Sequence, residues 1–600
     1  MRKLILGLDA FDPFFFEHLH SKGKTPNLSK LVQAGNYSRF RVSDPPQSEV
    51  SWTSIATGMN PGDHGMFDFV HRNPADYSLQ VSLLPTQNSL LGIQFVPPHN
   101  SRTIFDEAVE DGFPATSMWW PATFPARYGS PVRTIPGLGT PDILGRLGVG
   151  TYFSIELPSE DPTRKTPTRR IIQKSATKYT GILEGPAKKN GTVNINFELE
   201  IEEKRSAILR FGKQSINLIP GKWSEIIEFP FPVGFGMTVK GISRAILTNL
   251  NPVSLYLLPL QLHPLSSPWP YGTPKNFIQD QWKSSGPFLT LGWPQDTTAL
   301  NEGFINDDQF LNLCEMIEDG RERVLTHSLN TFDEGLLGCV FDSLDRIQHM
   351  FWKGREDIIE ACYIGLDQMI GRVMAKAGDA RILILSDHGF GKFDYKVHLN
   401  RWLIDHGYMS VKNPASSDLK EVEWSQTSAY ALGLNSLYLN IAGREGNGKV
   451  LESDTEHLLN KLKEELLLWR GPDGGQVIQN VLIRAEAFQG NLAKYGPDLF
   501  IGYRPPYRGS AETGLGQWRS EAIEVNTEHW GADHCFDSKA VPGVIFSTNE
   551  LANWAAPSYR DIPAITLGKD LKKIQNTSAP TYSDEDKEQV EKRLKDLGYL

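Results

Sequence analysis

Residues 1–12 read MRKLILGLDAFD, and the run Lys3–Leu8 within them decides the fold class. A short, continuous apolar segment without alternation is the pattern of a strand covered on both faces, as in a parallel sheet. Similar segments recur at Leu336–Phe341, Ile382–Leu385, Leu499–Ile501 and Val544–Phe546, and a helical pattern runs from Asp357 to Ala377. Strands alternating with helices predict an α/β, doubly wound sheet sandwiched by helices, with ligands gathered at the carboxyl ends of the strands. Asp9, directly after the first run, stands at such an end.

Between these runs the pattern changes. Val193, Ile195, Phe197, Leu199 and Ile201 alternate with Asn194, Asn196, Glu198, Glu200 and Glu202, the period of a half-exposed strand. Further strand-like segments follow at 207–211, 215–219, 223–229 and 254–258, punctuated by Pro220-Gly221 and Asn251-Pro252. We therefore expect a β-rich inserted domain over 175–295, within a discontinuous catalytic core of 1–174 and 296–600. Ser583 to Leu600 reads as an N-capped amphipathic helix.

Six hundred residues with 40% hydrophobic and 22% charged content suit a folded chain of more than one domain. The net charge of −10 and the absence of a long Lys/Arg run argue against a nucleic-acid polymer as partner. The four cysteines form no CxxC pair, and no run reaches the ~20 apolar residues of a membrane span. The expectation is a cytoplasmic protein with a small-molecule partner; the oligomeric state is not legible.

Five separated segments carry the chemistry. GLDAFD holds Asp9, and PPQSEVSWTSIATGMNPGDHG holds Ser48. DSLDRIQH places Asp345 and His349 four apart, on one helix face. ILILSDHGF sets Asp387 and His388 after a buried run, and GADHCFD adds His534. Three carboxylates, three imidazoles and a hydroxyl, without thiolate, suit zinc first and manganese second, rather than calcium. The set is too large for one ion, so two divalent cations are expected. A helix beginning just after Ser48 would put its hydroxyl at free backbone N–H groups, where an alkoxide and a phosphate are favoured. Ser48 as a mere helix N-cap is the plainer reading of that residue alone. Asp12 and Asp342 read as structural neighbours, and His64 as holding the turn after the helix. His71, Arg72, Arg346 and His398 have no role that the sequence fixes.

The constellation resembles the alkaline phosphatase superfamily, and most closely its type I phosphodiesterase/nucleotide pyrophosphatase branch. Ser48 stands nine residues before Thr57-Gly58, with Pro61, His64 and Gly65 following. Asp345 and His349, Ser386–Gly389, the looser GADH of 531–534 and Asp561–Ala564 match the later family elements in order. The resemblance implies an alkaline-phosphatase-like fold and hydrolysis of a phosphodiester or nucleotide pyrophosphate through phospho-Ser48. It implies one metal held by Asp345, His349 and His534, and another held by Asp9, Asp387 and His388, with Ser48 between them. It departs from the family at Phe69, where diester-cleaving members usually carry an Asn that binds a phosphoryl oxygen. The segment after Gln47 is also similar to that of metal-dependent phosphoglycerate mutases. A phosphomonoesterase or a phosphotransferase/mutase on the same site is the first alternative. An inactive scaffold with the β-rich insert as a binding module is the second.

Overall fold

The computed structural model describes residues 2–571 apart from 90–91, 128, 189–190, 203–204, 235, 552–553, 555 and 570, so the expected helix at 583–600 lies outside the described residues. The described chain forms two compact units, 2–122 with 332–571 and 123–331.

In the first unit, Arg2–Leu8 lies centrally and pairs in parallel with Gly335–Phe341 on one side and Arg381–Leu385 on the other. Ala115–Trp120 continues the sheet in parallel beyond Gly335–Phe341. Gly543–Ser547 and Tyr37–Phe40 extend the opposite side antiparallel. Leu4, Ile5, Leu6, Leu337, Val340, Ile382 and Ile384 are buried, as strands paired on both edges and covered on both faces require. The α/β reading holds, in a mixed rather than wholly parallel sheet.

Leu499–Ile501 departs from that reading. Its strand, Leu499–Tyr503, belongs to a separate antiparallel sheet with Ser436–Leu439 and Ile478–Ile483. An apolar run shows that both faces are covered; it carries no information about which partner covers them.

The Ser48 segment folds as a helix over Ser48–Thr57, ended by Gly58 in the left-handed conformation. It packs tightly on the first strand, because a Cβ at Gly7 would stand 2.4 Å from Trp52 Cη2. The Asp345 segment is a helix over Ser343–Phe351, followed by a longer one over Glu356–Ala377. No described helix is long and apolar enough to cross a membrane.

The second unit is rich in β-structure. A five-stranded antiparallel sheet orders Ile172–Gln173, Lys178–Lys188, Gly191–Glu202, Ser206–Phe211 and Gln214–Leu218. Val193, Phe197 and Leu199 turn inward while Asn194 and Asn196 are exposed, as the alternation predicts. Phe153, Phe197, Leu209, Phe229, Leu247 and Leu255 share one core across the unit's sheets. The segment 223–229 is a strand only from Ile227; Trp223 makes an isolated bridge to Ile246. Strands also lie before residue 175, at Thr151–Ser154 and Thr168–Arg170, and helices follow at Lys275–Ser284 and Asp307–Leu329.

Candidate active site

Three adjacent parallel strands end at the same place and deliver one carboxylate each. Asp9 follows Leu8, Asp345 lies in the first turn of the helix after Phe341, and Asp387 comes two residues after Leu385. The chain turns sharply after Asp9: Ala10 has φ of 62°, a strained value for a residue with a side chain. That turn is held on both sides, since Ala10 N–H donates to Asp387 Oδ1 at 3.1 Å and Gln348 Nε2 donates to the Ala10 carbonyl at 2.7 Å.

Ser48 is the first residue of its helix, and the N-cap position is Gln47, which makes no side-chain cap bond. The N-cap reading of Ser48 is therefore corrected: its hydroxyl does not cap the helix and points elsewhere. Ser48 Oγ lies 3.4 Å from Asp9 Oδ1 and 3.2 Å from His388 Nε2. His388 Nε2 lies 3.1 Å from Asp387 Oδ2, so hydroxyl, imidazole and two carboxylates form one buried group.

The second group centres on Asp345. Its Oδ2 is 3.3 Å from His349 Nε2 and its Oδ1 is 3.8 Å from His534 Nε2. His534 stacks on His388 with ring centroids 3.8 Å apart, which joins the two groups. Donor atoms of Asp9, Asp387 and His388 lie within 4.8 Å of one another, as do those of Asp345, His388 and His534. His349 reaches the second set through Asp345. All seven residues singled out in the sequence are thus brought together, and each is at most 1% exposed.

Each imidazole is oriented by a backbone carbonyl. Nδ1 of His349 pairs with Ala532 O at 2.8 Å, Nδ1 of His534 with Pro46 O at 2.7 Å, and Nδ1 of His388 with Gly389 O at 3.1 Å. A proton on Nδ1 leaves the Nε2 lone pair facing the site, the arrangement that metal-binding histidines use. Among those seven residues, four buried atoms have no hydrogen-bond partner: Asp345 Oδ1, His349 Nε2, Asp387 Oδ2 and His534 Nε2. Orphaned buried donor atoms are costly, and here all four belong to residues of a carboxylate–imidazole ligand set. The residues present fit divalent cations.

The electrostatics agree. Burial pushes the Asp9 carboxyl well above its ordinary range, and Asp387 and Asp345 add to the rise. Burial also opposes ionisation of Asp345, yet His349 and Arg346 hold its carboxyl well below the usual range. Against burial, Asp387 and Asp9 lift His388 to about 9, whereas burial with His388 alongside pulls His534 down to about 3. Asp387 and Asp345 thus act on Asp9 as like charges gathered at one place.

Other residues sort by their contacts. Asp12 accepts from Phe15 N as the N-cap of the helix Pro13–Ser21. His64 Nε2 meets Ser54 Oγ at 2.9 Å while Nδ1 accepts from Met66 N, so it holds the turn as expected. Arg72 is bound by Glu445 and Tyr430, and His398 lies between Glu512 and Glu524. Arg346 is ion-paired with Asp345. Sequence reasoning missed Trp52, whose Nε1 donates to Asp9 Oδ2 at 3.1 Å. It also missed Glu49, fully buried with neither carboxyl oxygen hydrogen-bonded. The signal for both was adjacency to Ser48 alone. Asp533 pairs with Arg508 at 3.0 Å and accepts from the backbone N–H of His534, which steadies the loop that carries His534.

The sequence matches the family model described as type I phosphodiesterase / nucleotide pyrophosphatase over residues 3–179 and 251–495. Among solved structures, the chain is similar to phosphonoacetate hydrolase from Sinorhizobium meliloti 1021 in complex with phosphonoacetate, at 10% identity and a TM-score of 0.47, covering 95% of this chain and 96% of that one. It is also similar to murine ectonucleotide pyrophosphatase / phosphodiesterase 5, at 8% identity and a TM-score of 0.42, covering 96% and 98%. The human form of that protein compares at 9% identity and a TM-score of 0.40, covering 96% and 97%. No curated protein matches the sequence.

Proposed function

Because the chain belongs to the type I phosphodiesterase / nucleotide pyrophosphatase family, and so is a phosphoester hydrolase of that type, we propose that it cleaves a phosphodiester or nucleotide pyrophosphate through a covalent intermediate on Ser48. The observation that carries this reading is the position of Ser48 Oγ, 3.4 Å from Asp9 and 3.2 Å from His388 at the start of a helix.

Asp9, Asp387 and His388 would hold one divalent cation and Asp345, His349 and His534 the other. Zinc is the first candidate and manganese the second, on the mixture of carboxylate and imidazole. Bound there, the cations supply charge that lowers the pKa of the hydroxyl and offsets the transferring phosphoryl group. The chain does the positioning. Trp52 and the Ala10 turn fix two carboxylates, and three backbone carbonyls fix the imidazoles. The helix N-terminus offers its free N–H groups to the phosphoryl oxygens. Ser48 Oγ forms a bond to phosphorus as the bond to the leaving oxygen breaks. Water then cleaves the Ser48 ester and restores the hydroxyl. Each step keeps the charge within a buried, oriented set of donors, the condition under which such stabilisation is largest.

The orphaned ligand atoms support an active centre over an inactive scaffold. The test is to compare bis(p-nitrophenyl) phosphate with p-nitrophenyl phosphate on protein reloaded with zinc or manganese after chelation. Faster metal-dependent turnover of the diester supports the proposal. Preference for the monoester supports the phosphatase or phosphotransferase alternative, and inactivity on both contradicts hydrolysis of simple esters.

A further inference from the structure

We propose that Glu49 hydrogen-bonds a hydroxyl carried by the substrate beside its phosphoryl group, so that the site prefers esters of polyhydroxy alcohols to those of simple alcohols. The proposal rests on the hydrolase reading and names the class of alcohol that the substrate carries.

Glu49 follows Ser48 in the first turn of the helix Ser48–Thr57 and is fully buried. It is the only carboxyl among the described residues whose two oxygens are both buried without a hydrogen-bond partner. Its own backbone N–H acts on the carboxyl without making a hydrogen bond. The helix dipole favours an acid at this place, but by less than the burial of two unmatched oxygens costs. A group that enters with the substrate and bonds to those oxygens removes the cost.

The neighbours decide what that group is. Asp68, Asp387 and Asp9 act electrostatically on Glu49, so its carboxyl stands within reach of the ligand set beside Ser48. Asp68 is itself satisfied, by the N–H groups of Leu434 and Asn435 at 3.1 and 3.0 Å and by Ser436 Oγ at 3.0 Å. Three carboxylates around Glu49 repel an anion, so its partner is not an oxygen of the phosphoryl group. Divalent cations bound at Asp9 and Asp387 would repel an ammonium group. A neutral hydroxyl escapes both. It also donates and accepts, and so suits the carboxyl in either protonation state.

The test uses zinc-loaded wild type, Glu49→Ala and Glu49→Gln. Bound zinc is counted, and binding of glycerol 3-phosphate and of propyl phosphate is measured by calorimetry. Turnover is compared on the p-nitrophenyl diesters of the same two phosphates. We expect wild type to bind glycerol 3-phosphate about 10-fold or more tightly than propyl phosphate, and to show the same preference in kcat/KM. In Glu49→Ala the two phosphates should bind alike, at unchanged zinc content, and the kcat/KM ratio should fall to about one. Glutamine keeps one acceptor oxygen and should retain part of the preference. Equal binding of the two phosphates by wild type, or a preference that survives Glu49→Ala, overturns the proposal. So does loss of zinc in both variants, which would make Glu49 a support of the ligand set. If wild type cleaves neither diester, the hydrolase reading fails, and the calorimetric comparison still decides the role of Glu49.

Discussion

The indole Nε1–H of Trp52 donates to Asp9 Oδ2 at 3.1 Å, so the helix that carries Ser48 also holds the carboxylate at the end of the first strand. Ser48 and Asp9 are thereby registered by one element. Trp52 is in turn fixed by Trp120, whose Nε1 donates to the Trp52 carbonyl at 3.0 Å and whose ring meets it edge-on.

Trp52→Phe keeps most of the buried volume and removes that donor. Partners that orient a metal ligand typically carry about 10- to 100-fold in affinity or activity. Zinc affinity, titrated against a competing chelator, should weaken by about 10-fold, with activity at saturating zinc less affected. Unchanged affinity would show that Asp9 is held without the indole.

Gly7→Ala introduces a Cβ 2.4 Å from Trp52 Cη2 and 2.9 Å from Val340 Cγ2. Overpacking of this kind costs about 1–3 kcal/mol. We expect a lower Tm and a drop in kcat, because the strain is relieved by moving the Ser48 helix off the strand. A variant with wild-type Tm and kcat would mean that the contact is not restrictive.

Asp387→Ala removes a ligand atom from the set with Asp9 and His388 but leaves Asp345, His349 and His534 in place. Bound zinc, measured by elemental analysis after dialysis, should fall from two per chain to about one. Retention of two ions would contradict the ligand assignment.

Acid stability should report the buried imidazoles. Burial pulls His64 down to about 3, and burial with Arg72 alongside does the same to His71. Their folded values lie below the unfolded value of 6.5, so the unfolded chain takes up protons first. Their contribution is complete above pH 6.5 and is lost as pH falls toward about 3. Each imidazole accounts for about 2 kcal/mol of lost stability at pH 5. His64→Gln should therefore show a shallower fall in urea stability between pH 7.5 and pH 5 than wild type. Parallel curves would sink the assignment of His64 as a buried neutral group.

Much of the site could be read from residue order, because strand ends are marked locally. An apolar run followed by Asp9, or by Ser386-Asp387-His388, declares both the strand and what hangs from its end. The four-residue spacing of Asp345 and His349 declares the shared helix face. Pairing was less legible. Leu499–Tyr503 has the apolar character of a central strand, yet its partners are Ser436–Leu439 and Ile478–Ile483 in another sheet. Trp52 was hidden for a similar reason: an aromatic on a buried helix reads as core, and only the distance to Asp9 Oδ2 reveals the donor. The carbonyls of Pro46, Gly389 and Ala532 that orient the imidazoles have no sequence signature, since every residue carries a carbonyl.

The most direct test of the account is a rapid-quench experiment on zinc-loaded wild type and Ser48→Ala with excess bis(p-nitrophenyl) phosphate, read by peptide mass spectrometry. The account predicts a phosphoryl adduct, with its retained ester, on the peptide carrying Ser48 in wild type. It predicts no adduct in Ser48→Ala, with turnover lower by on the order of 1,000-fold or more at unchanged zinc content. Turnover of Ser48→Ala near the wild-type rate, or an adduct on a residue other than Ser48, would contradict it.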